Sequence, residues 1–450
     1  MNTYYLVLRV IPTSQNEHVN EVEGAFAACW VRGDDLISAT NFSAFKVKQL
    51  HWQVLGIEDP PRIVTENDYT ASEDDLERYK AAQTRGLSIA FEAWSKDGKT
   101  YRGPIGLKKS QDFVLGDYLS QIAELKQTGR CLHFEAGTRC TEPIEAHSIQ
   151  KSGTLSLIAQ SVYVYVPSRN FSDTKRNFGG VVFAKQGINT VSTFRGFCGK
   201  HDNELFEPID NFPLEPTPEQ ITLYAYRSLC REVFVKENAV TVFRGLSGLP
   251  NRNQANDAIF NSVLKGSHTA LENLMRQKSK IEILLKSKCF DSMRWVLFRS
   301  HQKPSVVFSG LLCPDYDFLG RPLQDLSNHR LERDLVTFSF APMSDGWGFL
   351  LAWYDDSSKT CMPLVRSLAT QVSDGGNLGD SLFRFVVSSS ENLAMSPIWW
   401  ESLSISQRSE IEQAASYGIK IFSPLRNDYL TSGLEGAEWE FNRVTDNFER

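Results

Sequence analysis

Strand-like and helical patterns of hydrophobic residues alternate through the first 95 residues. The strand-like runs are TYYLVLRVI, AFAACWVRG, HWQVLGIED and LSIAFEAWS. Between them, DDLISATNFSAFKVKQL and SEDDLERYKAAQTRG carry apolar residues at helical spacing, and the second of these ends at Gly86. This alternation predicts a small α+β domain over residues 1–95, of the ferredoxin-like type. The domain contains no convincing catalytic set, so a docking or packing role is the plainer interpretation.

Helical patterns dominate the middle of the chain. Residues 96–128 are predicted to form a connector with a helix around DYLSQIAELKQ, and residues 213–290 a helical region. The second region opens with FPLEPTPEQ, in which Thr217 is predicted as N-cap, Pro218 as the first helical residue and Gln220 as the partner in a capping box. Further on, LENLMRQKSKIEILLKS has a clear 3.6-residue period.

Strand patterns return after residue 291. Five runs, MRWVLFRS, SVVFSGLL, DLVTFSFAPM, WGFLLAWY and FRFVVSSS, are joined by short turn-rich links. They predict an antiparallel β domain over residues 291–450, with a helix at SISQRSEIEQAASYG near its end. The fold class expected for the whole chain is therefore multidomain α+β.

Composition and charge narrow the function classes. The chain has 450 residues, of which 41% are hydrophobic and 23% charged, so two to four globular domains are expected. The net charge of −6 argues against a surface that is basic throughout. No apolar stretch approaches the roughly 20 residues that span a bilayer, and the start MNTYYLVLRVIPT lacks the pattern of a secretion signal. The predicted location is the cytoplasm, without membrane contact.

Four residues have the character of a zinc site. Cys131 and Cys140 form one pair, and Cys198 and His201 form a second with the tight C-x2-H spacing. Zinc needs about four such ligands in a tetrahedron, and two pairs are the usual way to supply them. The alternative is three buried thiols and a surface histidine, since free Cys often serves as a small hydrophobe. The predicted module spans residues 129–212.

This segment resembles the zinc-stapled HNH, or ββα-metal, nuclease modules. The strand IEAH places His147 in the general-base position of that family, and FCGKHDNELF opens the helix. His201 replaces the second cysteine of the family's second pair. Asp202 then occupies the position of the final metal-binding histidine, where a carboxylate suits Mg²⁺ or Mn²⁺. The resemblance thus implies a small zinc-bound ββα-like module at the centre of the α+β chain, with a structural Zn²⁺ and a catalytic divalent ion.

The sequence departs from the family pattern in two respects. The spacer over residues 141–197 is longer than in compact members and contains an extra strand-turn region, YVYVPSRNFSDTKRNFGGVVFAK. The family's middle asparagine has no clear equivalent, and Asn189 is the nearest candidate. Glu145 stands two residues before His147, so on a strand it points the same way and could orient His147 or hold metal.

Local charge favours a nucleic-acid partner for the module. From residue 145 to residue 201, seven basic residues stand against two acidic ones, a local charge of +5. Aromatic residues are interleaved with these bases, which suits phosphate contact combined with base stacking. The alternative is a solvated basic face whose strand aromatics lie in the core. The basic residues are Lys151, Arg169, Lys175, Arg176, Lys185, Arg195 and Lys200.

Two function classes follow. The first is a metal-dependent nuclease that cleaves DNA or RNA, and by analogy such a module between larger domains would fit a bacterial defence or toxin effector. The second is a non-enzymatic recognition or scaffold protein, stabilised by zinc, in which His147 is structural. In both, the flanking domains are expected to contact a protein partner.

Overall fold

A computed structural model describes residues 2–33, 35–69, 73–95, 129–168, 181–247, 254–326, 332–417, 427–435 and 437–448. The predicted connector 96–128 and its helix lie outside these residues, as do Arg169, Lys175 and Arg176. The chain is a multidomain α+β protein, with three antiparallel sheets among the described residues. Within the same residues, no helix is both long and apolar enough to cross a membrane.

The N-terminal domain is a four-stranded antiparallel sheet with a helix on each face. Its strands follow the order β3-β1-β2-β4. Asp35 caps α1 by accepting a hydrogen bond from the Ser38 amide at 2.8 Å, and Gly86 ends α2 in the left-handed region at φ 84°. The elements are β1 (Asn2–Pro12), β2 (Val22–Gly33), α1 (Leu36–Gln49), β3 (Trp52–Val64), α2 (Glu73–Arg85) and β4 (Leu87–Ser95).

Both faces of this sheet are buried, which explains the near-continuous apolar run in β1. Leu6 and Leu8 pack on the face that α1 covers, whereas Tyr5 and Val7 pack on the opposite face with Ala82 of α2. The order of elements is β-β-α-β-α-β, which differs from the β-α-β-β-α-β order of a ferredoxin-like fold. Local periodicity predicted the elements, but the strand pairing depends on contacts distant in sequence.

An eight-stranded antiparallel sheet forms the centre of the remaining chain. Its order is β14-β9-β12-β11-β10-β13-β6-β7. The hairpin of β6 and β7 comes from the segment 129–212, so the sheet joins that segment to residues 291–450 in one structural unit. The strands are β6 (Tyr163–Pro167), β7 (Phe183–Gly187), β9 (Met293–Ser300), β10 (Val306–Leu312), β11 (Val336–Met343), β12 (Gly346–Tyr354), β13 (Leu393–Met395) and β14 (Arg443–Asp446).

Helices cover both faces of this sheet. The long helices α4 (Pro218–Ser247) and α5 (Gln254–Ser287) share a core with one face, in which Leu229 of α4 joins Leu297 and Leu350 of the sheet. On the other face lie α6 (Ser358–Ser373), α7 (Leu378–Ser389), α8 (Pro397–Ser402) and α9 (Ile405–Ala415). Helix α4 therefore lies between the large sheet and the segment that carries the predicted site.

The smallest unit is a ββα arrangement beside α4. It consists of β5 (Pro143–His147) paired antiparallel with β8 (Thr193–Cys198), and of α3 (Gly199–Asp210), which begins where β8 ends. Phe197 and Phe206 bury its inner face in the core shared with α4. A π-helical turn, Lys151–Leu155, follows β5 and continues as Ser156–Ile158.

Two local predictions are wrong. The run FRFVVSSS lies in helix α7, where Asn377 caps the helix by accepting from the Asp380 amide at 2.9 Å. The run FRFVVSSS taken alone is typical of a buried strand, whereas Asp380, Arg384 and Ser388 recur at helical spacing once the whole segment Leu378–Ser389 is considered. The capping box at Thr217 is only half formed, because the Gln220 side chain accepts from the Glu215 amide at 2.9 Å.

Candidate metal centre and adjoining cavity

Four ligand atoms of the predicted zinc site converge at the base of the ββα unit. Cys131 and Cys140 lie in the loop before β5, Cys198 ends β8, and His201 lies in the first turn of α3. Their sulfur and nitrogen atoms all lie within 4.8 Å of one another. His201 Nδ1 is 3.4 Å from Cys131 Sγ and 3.5 Å from Cys140 Sγ. The fold therefore assembles ligands that are far apart in sequence.

These distances fit a tetrahedral ion. Zinc–sulfur and zinc–nitrogen bonds of ordinary length separate a sulfur and a nitrogen ligand by about 3.5 Å in a tetrahedron. His201 is only 1% exposed, so it is not the surface histidine of the alternative interpretation. Three thiols and an imidazole are the donor set that zinc prefers. The group could hold a metal ion such as zinc.

Cys131 and Cys198 differ in how readily their thiols lose the proton, as metal binding requires. Burial raises the pKa of the Cys131 thiol to about 11. Burial also acts to raise the pKa of Cys198, but hydrogen bonds from the His201 amide and from Thr141 outweigh it and lower this pKa to about 7. Since the thiolate is the form that binds metal, Cys198 is the readier ligand of the two.

A further histidine adjoins the cluster. His133 stacks on His201 with ring centroids 4.2 Å apart, and its Nδ1 accepts a hydrogen bond from the Glu135 amide at 3.0 Å. Burial lowers the pKa of the His133 ring to about 4, so the ring is neutral at neutral pH. His133, Glu135 and His201 also lie close enough to form a three-ligand group, but His201 Nδ1 already faces the thiols.

A cavity of about 460 Å³ opens beside the metal centre on the ββα unit. His147 reaches it from the end of β5, where it pairs with Thr193 of β8. Asp202 reaches it from the first turn of α3, and Glu145 from a bulge in β5. The cavity is lined by Ile144, Glu145, Ala146, His147, Gln150, Lys151, Ser152, Ser156, Ile188, Asp202, Asp210 and Asn211.

Asn189 does not belong to this set. It is exposed in the turn before β8, although its neighbour Ile188 lines the cavity. The sequence pattern could place an asparagine near the site but could not fix the direction of its side chain. Three of the four residues that the sequence nominated for catalysis thus meet in one cavity.

His147 is held in a defined tautomer. Its Nε2 lies 3.2 Å from the carbonyl oxygen of Ile188. A carbonyl only accepts, so Nε2 carries the proton and Nδ1 keeps its lone pair. Burial lowers the pKa of the His147 ring, and the positive charges of Lys151 and Arg227 act in the same direction. The ring is therefore neutral at neutral pH, as a proton acceptor must be.

The two aspartates of α3 that line the cavity have different surroundings. Asp202 is buried, and no hydrogen bond from a described residue reaches its carboxylate. Burial raises the pKa of Asp202 to about 6, partly opposed by Arg227. Asp210, two turns further along α3, has both carboxylate oxygens bound to the Arg227 guanidinium. A cation entering the cavity would find Asp202 unbound and Asp210 already neutralised.

The predicted basic surface is only partly described. Lys151 is exposed at the cavity. The other described bases have local partners: Lys185 pairs with Glu401 at 3.0 Å, Lys200 pairs with Glu204 at 3.8 Å, and Arg195 donates to the Pro143 carbonyl at 2.8 Å. Among the described residues, the positive charge that faces the cavity opening is concentrated on Lys151.

Sequence reasoning missed three residues near the site. His133 could have been noticed from its C-x-H spacing after Cys131. Asp210 could have been noticed because it lies two helical turns after Asp202, on the same face. Arg227 was signalled by a single charge within the otherwise uncharged run TLYAYRSLC of α4.

Comparison of the chain with protein-family models, with curated proteins and with solved structures found no significant match.

Proposed function

We propose that the chain is a metal-dependent nuclease that cleaves phosphodiester bonds of DNA or RNA, with zinc as a structural ion. The observation that carries the proposal is the shared cavity of His147 and Asp202 on a ββα unit whose base gathers four zinc-type ligands. The resemblance of residues 129–212 to HNH modules gave this arrangement as an expectation, and the geometry supports the same chemistry.

His147 supplies the general base of the proposed reaction. Its Nδ1 accepts the proton of a water molecule that attacks the phosphorus, while Nε2 keeps its hydrogen bond with the Ile188 carbonyl. That bond orients the ring and stabilises the imidazolium that forms when the proton arrives. The role of His147 as a base depends on its tautomer, which the backbone carbonyl of Ile188 fixes.

Asp202 supplies the protein ligand for a divalent ion. Mg²⁺ is commonly held by one or two carboxylates together with water and substrate phosphate oxygens, so a single unbound aspartate beside the base fits its needs. Such an ion, when bound, would neutralise charge on the scissile phosphate and the leaving oxygen. Glu145, exposed at the same cavity, is placed to help in holding it.

The non-enzymatic alternative has one observation in its favour. Within the described residues, no group of three ligand atoms converges around Asp202, whereas the Cys131–Cys140–Cys198–His201 group does converge. On this interpretation the zinc-type site would only stabilise the ββα unit. His147 would then be a half-buried structural histidine whose ring is held by the Ile188 carbonyl.

A degradation assay separates the two functions. Plasmid DNA and RNA are incubated with the full chain and with Mg²⁺ or Mn²⁺, and His147→Ala is compared with His301→Ala. His301 is a matched control because it is an exposed histidine that does not line the cavity. Cleavage by wild type and by His301→Ala, with a loss of at least about 100-fold in His147→Ala, is expected. Equal cleavage by all three, or none by wild type, refutes the proposal.

A further inference from the structure

A buried row of amide and hydroxyl groups joins the cavity wall to the eight-stranded sheet. Asn392 follows α7 and immediately precedes β13. Its Nδ2 group donates to Ser148 Oγ at 2.9 Å and to the Ser309 carbonyl of β10 at 3.1 Å. Asn392 is 5% exposed and Ser148 is 8% exposed. An amide nitrogen has two protons, so both bonds form together and leave neither proton unsatisfied.

Ser148 is in turn hydrogen-bonded to Ser192, which ends the turn before β8. Its amide donates to the Ser192 carbonyl at 3.0 Å, and the two hydroxyl oxygens lie 2.7 Å apart. Ser192 Oγ also accepts from the Ile149 amide at 2.9 Å. Ser192 has a φ of 60°, a left-handed conformation that costs a non-glycine residue free energy. The hydrogen bonds with Ser148 compensate for this strain.

The same turn orients His147. His147 directly precedes Ser148, and its Nε2 donates to the carbonyl of Ile188, at the other end of the turn Ile188–Ser192. A shift of the turn relative to β5 would therefore move the acceptor away from the imidazole. The tautomer and direction of the ring depend on how firmly Ser148 and Ser192 are held.

We propose that Asn392 is a positioning residue for His147. Through Ser148 it fixes the end of β5 to the turn that orients the imidazole, so the eight-stranded sheet forms part of the support of the site. The catalytic consequence rests on the nuclease function proposed above, but the positioning itself does not. A purely local role, in which Asn392 only closes the contact between β10 and β13, would leave His147 undisturbed.

The test measures His147 directly. The rate at which diethyl pyrocarbonate modifies His147 is followed by peptide mass spectrometry, well below the melting temperature of each variant. In Asn392→Ala we expect this rate to rise about tenfold, since one buried hydrogen bond that restrains the turn is lost. The matched control is Asn273→Ala. Asn273 is equally buried and binds the Arg333 backbone at 3.0 and 3.1 Å, but it does not line the cavity.

The rate of His147 modification tests the positioning role separately from the nuclease function, because it can be measured in a protein that does not cleave nucleic acid. Faster modification of His147 in Asn392→Ala but not in Asn273→Ala supports the positioning role, whether or not wild type cleaves nucleic acid. An unchanged rate in folded Asn392→Ala overturns it. If that variant does not fold, Asn392→Ser decides in the same way, because it is a smaller polar change that still removes the amide nitrogen bound to Ser148 and leaves the bonds between Ser148 and Ser192 intact. Where wild type cleaves, the positioning variants should lower kcat more than they raise KM.

Discussion

Arg227 holds both carboxylate oxygens of Asp210, with Nη1–Oδ1 at 2.6 Å and Nη2–Oδ2 at 2.5 Å. The guanidinium is 4% exposed and lies 4.0 Å from the centre of the Phe206 ring. It comes from α4, which packs between the ββα unit and the large sheet. The pair therefore neutralises Asp210 and leaves Asp202 and Glu145 as the unpaired carboxylates among the residues that line the cavity.

Asp202→Asn is expected to weaken Mn²⁺ binding by at least about tenfold, because it removes the charge of the unbound aspartate in the cavity. Isothermal titration of the zinc-loaded full chain measures this affinity. Glu204→Gln is the control, since Glu204 lies on the same helix outside the cavity. If Asp202→Asn binds Mn²⁺ as tightly as Glu204→Gln does, Asp202 is not a ligand.

Arg227→Met is expected to lower the free energy of unfolding by about 3 kcal/mol, because it leaves a partly buried carboxylate without its partner. Urea denaturation measures the change. The double variant Arg227→Met/Asp210→Asn should recover part of the loss, since the unpaired charge is gone. Lys185→Met, which breaks the exposed pair with Glu401, should lower the free energy of unfolding far less, because solvent screens the exposed charges. Equal losses in the two single variants would contradict a special role for the buried pair.

Purified protein is expected to carry about one zinc ion per chain, as a single four-ligand site would. Cys140→Ser should lose most of this zinc, whereas Cys289→Ser should keep it, although both cysteines are exposed. Elemental analysis measures the content. Thermal melting with and without a chelator should show a lower Tm only where zinc is removed. Wild-type protein without zinc, or equal zinc in both variants, would count against the site.

Two glycine substitutions are expected to change the free energy of unfolding in opposite directions. In Gly379→Ala the new Cβ would lie 2.0 Å from the Trp439 carbonyl oxygen, so a loss of about 2 kcal/mol or more in unfolding free energy is expected. Gly266 lies within α5, and no neighbouring atom of the described residues comes within 4 Å of its would-be Cβ, so Gly266→Ala should stabilise the chain by about 0.5–1 kcal/mol. Urea denaturation of both variants measures the two changes. A lower free energy of unfolding in Gly266→Ala would contradict the prediction.

The sequence was informative where chemistry is local. The spacing of apolar residues predicted most elements, because a helix or strand that buries one face must repeat at its own period. Ligand types also indicated Cys131, Cys140, Cys198 and His201 as one site, and the resemblance to HNH modules implied the roles of His147 and Asp202. These inferences needed only short segments whose residues are chemically distinctive.

Tertiary structure decided what depends on distant contacts. The run FRFVVSSS lies within a helix that starts five residues earlier at Leu378, and the N-terminal strands paired in an order that no local pattern encodes. Arg227 and Asn392 adjoin the site from segments that carry no motif, and their roles come only from the partners that packing brings to them. The sequence by itself determined which residues could bind metal or accept a proton. Only the folded chain determined which of them share a cavity, because that depends on the packing of α4 and the large sheet against the ββα unit.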